Sequence, residues 1–325
     1  MNAAVRALLL GGAAIGLAIA CALWPLSVWA ATLAVFGVPH ALVELRWVGR
    51  RYGRWRALLI PVVALLALIG TSRLLAFQLD WRGATLAAIE LALGMLLVAS
   101  VLPRDTRRCV LRSAVATLAL TALGYGVANA PLDTLLVLAV LHNVTPVGLI
   151  ADRLRDPDLV QEGRTRWTAA ALLGFVLVPA WLATGVAANW LGLESMTTTP
   201  GDLTAAAQLD LGLADGLAAF VPGWLPRANA LDLLRAAAFL QCLHYVAVLV
   251  VLPRLGAAPN ATRTRRDTPF LVLVAGLGAL FFAAFGLDFR ESKATYGILA
   301  AVHVWAEFPA LLLALTPRAQ LPVTP

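Results

Sequence analysis

The chain is short of charge. Of its 325 residues only 13% are Asp, Glu, Lys or Arg, against roughly a quarter in a soluble globular domain. It is also short of cysteine: Cys21, Cys109 and Cys242 form no CxxC pair, which excludes a disulfide framework and a thiolate metal cluster. Cys21 and Cys242 fall in apolar runs and read as small packing residues. No repeat of fixed period and no low-complexity tract is present, so a solenoid is excluded. Histidine is scarce as well, with four in the whole chain.

What fills the sequence is hydrophobic residues, 61% of the total. Apolar runs recur near 4–23, 26–46, 57–77, 84–103, 109–129, 131–151, 167–190, 230–252, 269–288 and 295–315. Each is close to the roughly 20 residues that cross a bilayer core as a helix. The expected fold is therefore all-α, a polytopic bundle of about ten transmembrane helices, with residues 1–325 forming one membrane-embedded domain.

The net charge of +7 could suggest a nucleic-acid partner, but the arginines lie elsewhere. They gather in alternate loops: Arg46, Arg50, Arg51, Arg54 and Arg56; Arg104, Arg107 and Arg108; Arg153, Arg155, Arg164 and Arg166; Arg254, Arg263, Arg265 and Arg266. This is the positive-inside bias, and it puts both termini in the cytoplasm. The expected setting is a multi-pass protein of a bacterial inner or plasma membrane, with no nucleic acid. Residues 1–23 could pass for a signal peptide, but "ACALWP" is a poor cleavage context, so a retained first helix is expected.

The connection 191–229 is then an outer loop. Leu209, Leu213, Leu217 and Phe220 make a helical stripe opposed by Gln208, Asp210 and Asp215. That pattern suits a helix in the outer interface, acting either as a lid or as an ordinary connector.

His40, His142, His244 and His303 each fall inside an apolar run, the second, sixth, eighth and tenth. In the topology above these four helices all run from outside to inside. The histidines are about 8–14 residues from the outer ends, which at 1.5 Å per residue is a depth of roughly 12–21 Å. One layer near the midplane accommodates all four. Polar side chains at that depth are costly and usually face a functional interior. Four imidazoles without thiolates suit iron(II), copper or zinc, and do not suit magnesium or calcium.

Carboxylates accompany them. "HALVE" puts Glu44 one helical turn after His40, and "HVWAE" puts Glu307 one turn after His303. A metal-bound imidazole commonly donates its other N–H to a carboxylate, so both glutamates read as outer partners of the ligands. Direct ligation by Glu44 stays open. Glu90, in "LAAIELAL", is a further candidate of the same kind. Prolines mark the same helices: Pro39 precedes His40, Pro146 removes the backbone bond to the His142 carbonyl, and Pro309 does so for Trp305. Asn143, Thr145, Tyr245 and Trp305 are candidates for contact with oxygen or substrate, with a structural role as the alternative for each.

The segment "FGVPHALVE" resembles the proline–histidine–glycine–x–x–aspartate segment of the Brp/Blh family of membrane-bound β-carotene 15,15′-dioxygenases. Glu44 stands where the family has aspartate, and Ala41 replaces its glycine. A later family pair of histidines four apart is absent, since Val248 follows His244 at that spacing. The resemblance implies iron(II) held by histidines and cleavage of a carotenoid double bond to retinal. The partners then expected are dioxygen and an apolar substrate entering from the bilayer. Two other classes fit four membrane histidines: a cytochrome b-type electron carrier with haem, and a proton-coupled transporter.

Overall fold

A computed structural model of the chain describes residues 3–52, 56–79, 83–103, 105, 109–155, 161–190, 227–256 and 268–316. Among the described residues all regular structure is helical. The stretch 191–226, which carries most of the expected outer loop and its interfacial helix, lies outside them.

The helices are α1 (Ala3–Leu23), α2 (Pro25–Tyr52), α3 (Arg56–Gln78), α4 (Ala84–Ser100), α5 (Val110–Asn129), α6 (Pro131–His142), α7 (Thr145–Leu154), α8 (Gln161–Leu172), α9 (Val178–Ala183), α10 (Val186–Trp190), α11 (Arg227–Val246), α12 (Leu252–Gly256), α13 (Thr268–Leu287) and α14 (Phe289–Ala314). Among the described residues seven helical segments are long and apolar enough to cross a bilayer, or eight if α6 and α7 count as one bent span. Large apolar side chains stand exposed on them, as at Ile60 (78%), Leu118 (69%) and Val272 (66%). Such surfaces are stable against lipid and not against water. The protein is a membrane protein built of helices.

Breaks in the helices have identifiable causes. Proline 146 cannot donate to the His142 carbonyl, and there α6 gives way to α7 with a 41° bend. One-turn π-helices occur at Leu173–Leu177, between α8 and α9, and at Ala247–Val251, between α11 and α12. Gly185, between α9 and α10, takes φ 74°, a left-handed conformation that most side chains resist.

The chain divides into two compact units, residues 1–35 with 160–246, and residues 36–159 with 247–325. In the first, small residues of α1 (Ala18, Cys21, Ala22) pack with Leu182, Ala187, Ala238 and Phe239. Small side chains let membrane helices approach closely where no hydrophobic drive separates helix from lipid. Polar groups on α11 are matched within that unit: Gln241 donates to the Trp29 carbonyl at 3.0 Å and to Thr32 Oγ1 at 2.9 Å.

In the second unit Leu66 and Ile69 of α3, Leu91 and Leu97 of α4, Leu123 of α5, and Trp305 and Leu312 of α14 form the core. Basic side chains tie off its helix ends. Arg51 Nε and Tyr52 Oη both donate to Asp152 Oδ2 at 3.0 Å. Arg153 Nε donates to the Leu255 carbonyl at 2.7 Å, and Arg155 Nη1 to the Ala314 carbonyl at 3.0 Å. Helix C-termini leave carbonyls without intrahelical donors, and these guanidinium groups satisfy two of them. The same arginines that the sequence assigns to topology therefore also lock the bundle at one end.

Candidate metal centre

The second unit holds a cluster of buried imidazoles. Helix α2 carries His40 directly after Pro39, and α13 packs tightly there: a Cβ at Gly278 would lie 2.7 Å from Pro39 Cγ. Helix α6 ends on His142, and the middle of α14 supplies His303. All three are buried, at 1%, 7% and 1% exposure. The rings of His40 and His142 each meet the His303 ring edge-on, with centroids 4.8 and 4.6 Å apart.

The hydrogen bonds decide where the ring protons are. His40 Nδ1 lies 2.9 Å from the Phe36 carbonyl oxygen. A carbonyl only accepts, so Nδ1 carries the proton and Nε2 presents a lone pair. His142 Nδ1 lies 2.9 Å from Glu307 Oε2. With the carboxylate accepting, the proton again sits on Nδ1 and Nε2 is left as a lone pair. His40 Nε2 is 3.2 Å from His303 Nε2. Two nitrogens each about 2.1 Å from one ion stand about 3.0–3.4 Å apart at right-angled to tetrahedral geometry. One ring nitrogen from each of the three histidines comes within 4.8 Å of the others. His40, whose far nitrogen is held and whose near nitrogen meets that of His303, is arranged as a metal ligand.

No protein-family model, curated protein or solved structure matches the chain. The cluster is read from its own chemistry.

Two carboxylates adjoin the imidazoles. Glu44 and Glu307 are each 1% exposed, and both come within 4.8 Å of a ligand atom of His303 and of each other. Two carboxylates this close in a low-dielectric interior repel unless a cation or a shared proton lies between them. The donor set of imidazoles with neighbouring carboxylates fits a divalent transition metal.

The structure redraws the expected pairings. The sequence pairs Glu307 with His303 one turn away on α14, but its hydrogen bond goes to His142 on α6, while Oε1 stays 3.8 Å from His303 Nε2. The resolved bond at His40 Nδ1 goes to the Phe36 carbonyl in its own helix. Side chains one turn apart stack along the helix axis, whereas imidazoles that converge on one point turn across the bundle. A crossing helix then supplies the better-aligned partner.

Glu90 stands apart from the cluster. Its Oε2 takes Arg73 Nε at 2.5 Å, and its Oε1 takes Trp305 Nε1 at 2.9 Å. Trp305 is thus committed to Glu90, and its ring sits where a Cβ on Gly94 would overlap it. Thr145 Oγ1 donates at 2.6 Å to the His142 carbonyl that Pro146 leaves free. Asn143 is half-buried and caps the Ala139 and Val140 carbonyls. In the first unit His244 is fully buried on α11, with the Tyr245 ring edge-on at 6.0 Å.

Sequence reasoning passed over Arg73. The signal was present: an arginine inside the apolar run of α3 and a glutamate inside that of α4, of opposite sign in consecutive helices.

Proposed function

We propose that the protein is a membrane-embedded non-haem metal oxygenase that acts on an apolar substrate of the lipid phase, a carotenoid or similar long polyene. The observation that carries the reading is the convergence of Nε2 atoms from His40 and His303, 3.2 Å apart, with both His40 and His142 anchored through Nδ1. Iron(II) is the favoured ion, since imidazoles with neighbouring carboxylate suit it and leave positions open to dioxygen. When bound, iron supplies dioxygen activation. The Phe36 carbonyl and Glu307 fix the ring tautomers, the apolar helices exclude water, and the lipid-facing surface receives the substrate sideways. The "GVPHALVE" resemblance supports a polyene as that substrate.

His244, expected from the sequence to join the same centre, belongs to the proposal as a further ligand. So do the ten spans, the cytoplasmic termini and the outer placement of 191–229, each resting on the arginine pattern.

Haem fits the cluster poorly. A bis-histidine haem needs a macrocycle between its two axial rings, and the edge-on packing of His40 and His142 against His303 leaves no such slot.

A β-carotene-accumulating bacterial host tests the activity. Wild-type chain bleaches the carotenoid and yields retinal, and His40→Ala does neither. Unchanged carotenoid beside a wild-type protein that binds iron rejects the polyene and leaves the metal centre standing. Uptake of a solute into vesicles by a metal-free protein replaces the enzyme reading with a transporter.

A further inference from the structure

The imidazoles and the carboxylates form two layers. His40 and Glu44 on α2, and His303 and Glu307 on α14, share the same four-residue spacing, a rise of about 6 Å. The two histidines face each other across the helices, and the two glutamates also approach each other and His303 within 4.8 Å.

Glu307 Oε2 is not free to serve the ion held by the imidazole layer. Its Oε2 takes the Nδ1–H of His142 at 2.9 Å. The two nitrogens of an imidazole point in diverging directions, so a carboxylate bonded at Nδ1 is out of bonding range of an ion on Nε2 of the same ring. The other oxygen, Oε1, is buried, takes no hydrogen bond among the described residues, and lies 3.8 Å from His303 Nε2, beyond hydrogen-bond reach. A buried carboxylate oxygen in that state, with Glu44 close beside it, requires either a cation or a proton shared between the two carboxylates.

We infer that the cluster has a second cation position, one turn along from the first, held by Glu44 and Glu307 with His303 beside them. This rests on the metal reading above and deepens it. Two carboxylates with one imidazole suit a hard or borderline divalent ion, manganese(II) or iron(II) above copper. The centre is then a pair of ions sharing the His303 side, with harder donors at the second position than at the first.

The test uses the full chain, purified in detergent, stripped with chelator and titrated with manganese(II) alone. Bound ion is counted by elemental analysis, and the electron paramagnetic resonance spectrum is recorded. Wild type saturates at two ions per chain with a spin-coupled spectrum, and Glu44→Gln saturates at one with the hyperfine sextet of an isolated ion. Wild type that saturates at a single uncoupled ion overturns the inference and shows that Glu44 and Glu307 share a proton. Two ions retained in Glu44→Gln overturn the assignment of the second position. No bound ion in a wild type that keeps its helical circular dichroism removes the metal centre itself, and the inference with it. Gel filtration of Glu44→Gln separates loss of an ion from loss of fold.

Discussion

Glu90 and Glu307 lie in apolar helices of the same unit, at 2% and 1% exposure, and their surroundings are opposite in kind. Glu90 meets a guanidinium on one oxygen and an indole N–H on the other. Its charge is neutralised by the protein, and both acceptors are filled by fixed donors. Glu307 holds an imidazole N–H with one oxygen and presents the other beside Glu44 and His303. Burying a carboxylate is costly unless it is paired and hydrogen-bonded. The first carboxylate is complete without anything added. The second needs a cation or a proton shared with Glu44, and this separates a packing device from a candidate binding site where the sequence signals look alike.

The comparison breaks most sharply at His303, which touches both imidazoles and both carboxylates. His303→Ala is expected to remove most bound metal, read by elemental analysis, while the melting temperature of the metal-free protein moves little. Glu307→Gln comes next. It keeps a hydrogen bond to His142 but removes the carboxylate charge beside Glu44 and His303, and metal affinity is expected to fall about 10–100-fold; competition with a chelator measures it.

On the other side, Glu90→Ala strands Arg73 and Trp305 Nε1. Breaking a buried ion pair costs about 3–5 kcal/mol, and the partial exposure of Arg73 puts the loss near the lower end. The expected outcome is a lower melting temperature in detergent with metal content unchanged. Metal loss in Glu90→Ala at full stability would erase the distinction between the two carboxylates. Gly94→Ala, which presses a methyl group into the Trp305 ring, sharpens the same side. It should destabilise by about 1–3 kcal/mol through overpacking, again without touching metal affinity. The smallest effect is expected from Thr145→Val, which removes the hydroxyl from the His142 carbonyl. That costs about 1 kcal/mol and is read as a small drop in melting temperature.

The helical architecture was legible because a bilayer demands it. Apolar runs of the required length can satisfy their backbone groups only as helices here, and the runs named from the sequence coincide with helical segments. The bend at Asn143–Val144 was legible through Pro146, whose missing N–H frees one identifiable carbonyl. The π-turn at Ala247–Val251 was not, since nothing in "AVLVV" departs from an ordinary apolar helix.

The candidate site was legible as residue types and less so as pairings. Rarity of histidine drew attention to His40, His142 and His303, and the structure brings them together. Spacing along one helix put Glu307 on His303 when its hydrogen bond goes to His142, because sequence distance carries no information about which neighbouring helix crosses at that height. Glu90 was drawn toward the site for the same reason that Glu44 was, a carboxylate in an apolar run. Only the position of Arg73 across from it tells the two apart.

The central claim is a transition metal held by the buried histidines, and metal content tests it most directly. Full-length protein purified without chelator, with its absorption spectrum recorded, should carry stoichiometric transition metal and show no Soret band. His40→Ala and His303→Ala should lose that metal while remaining folded. Folded wild-type protein that stays metal-free after incubation with iron(II), manganese(II), zinc and copper, or an intense Soret band in its spectrum, would contradict the account.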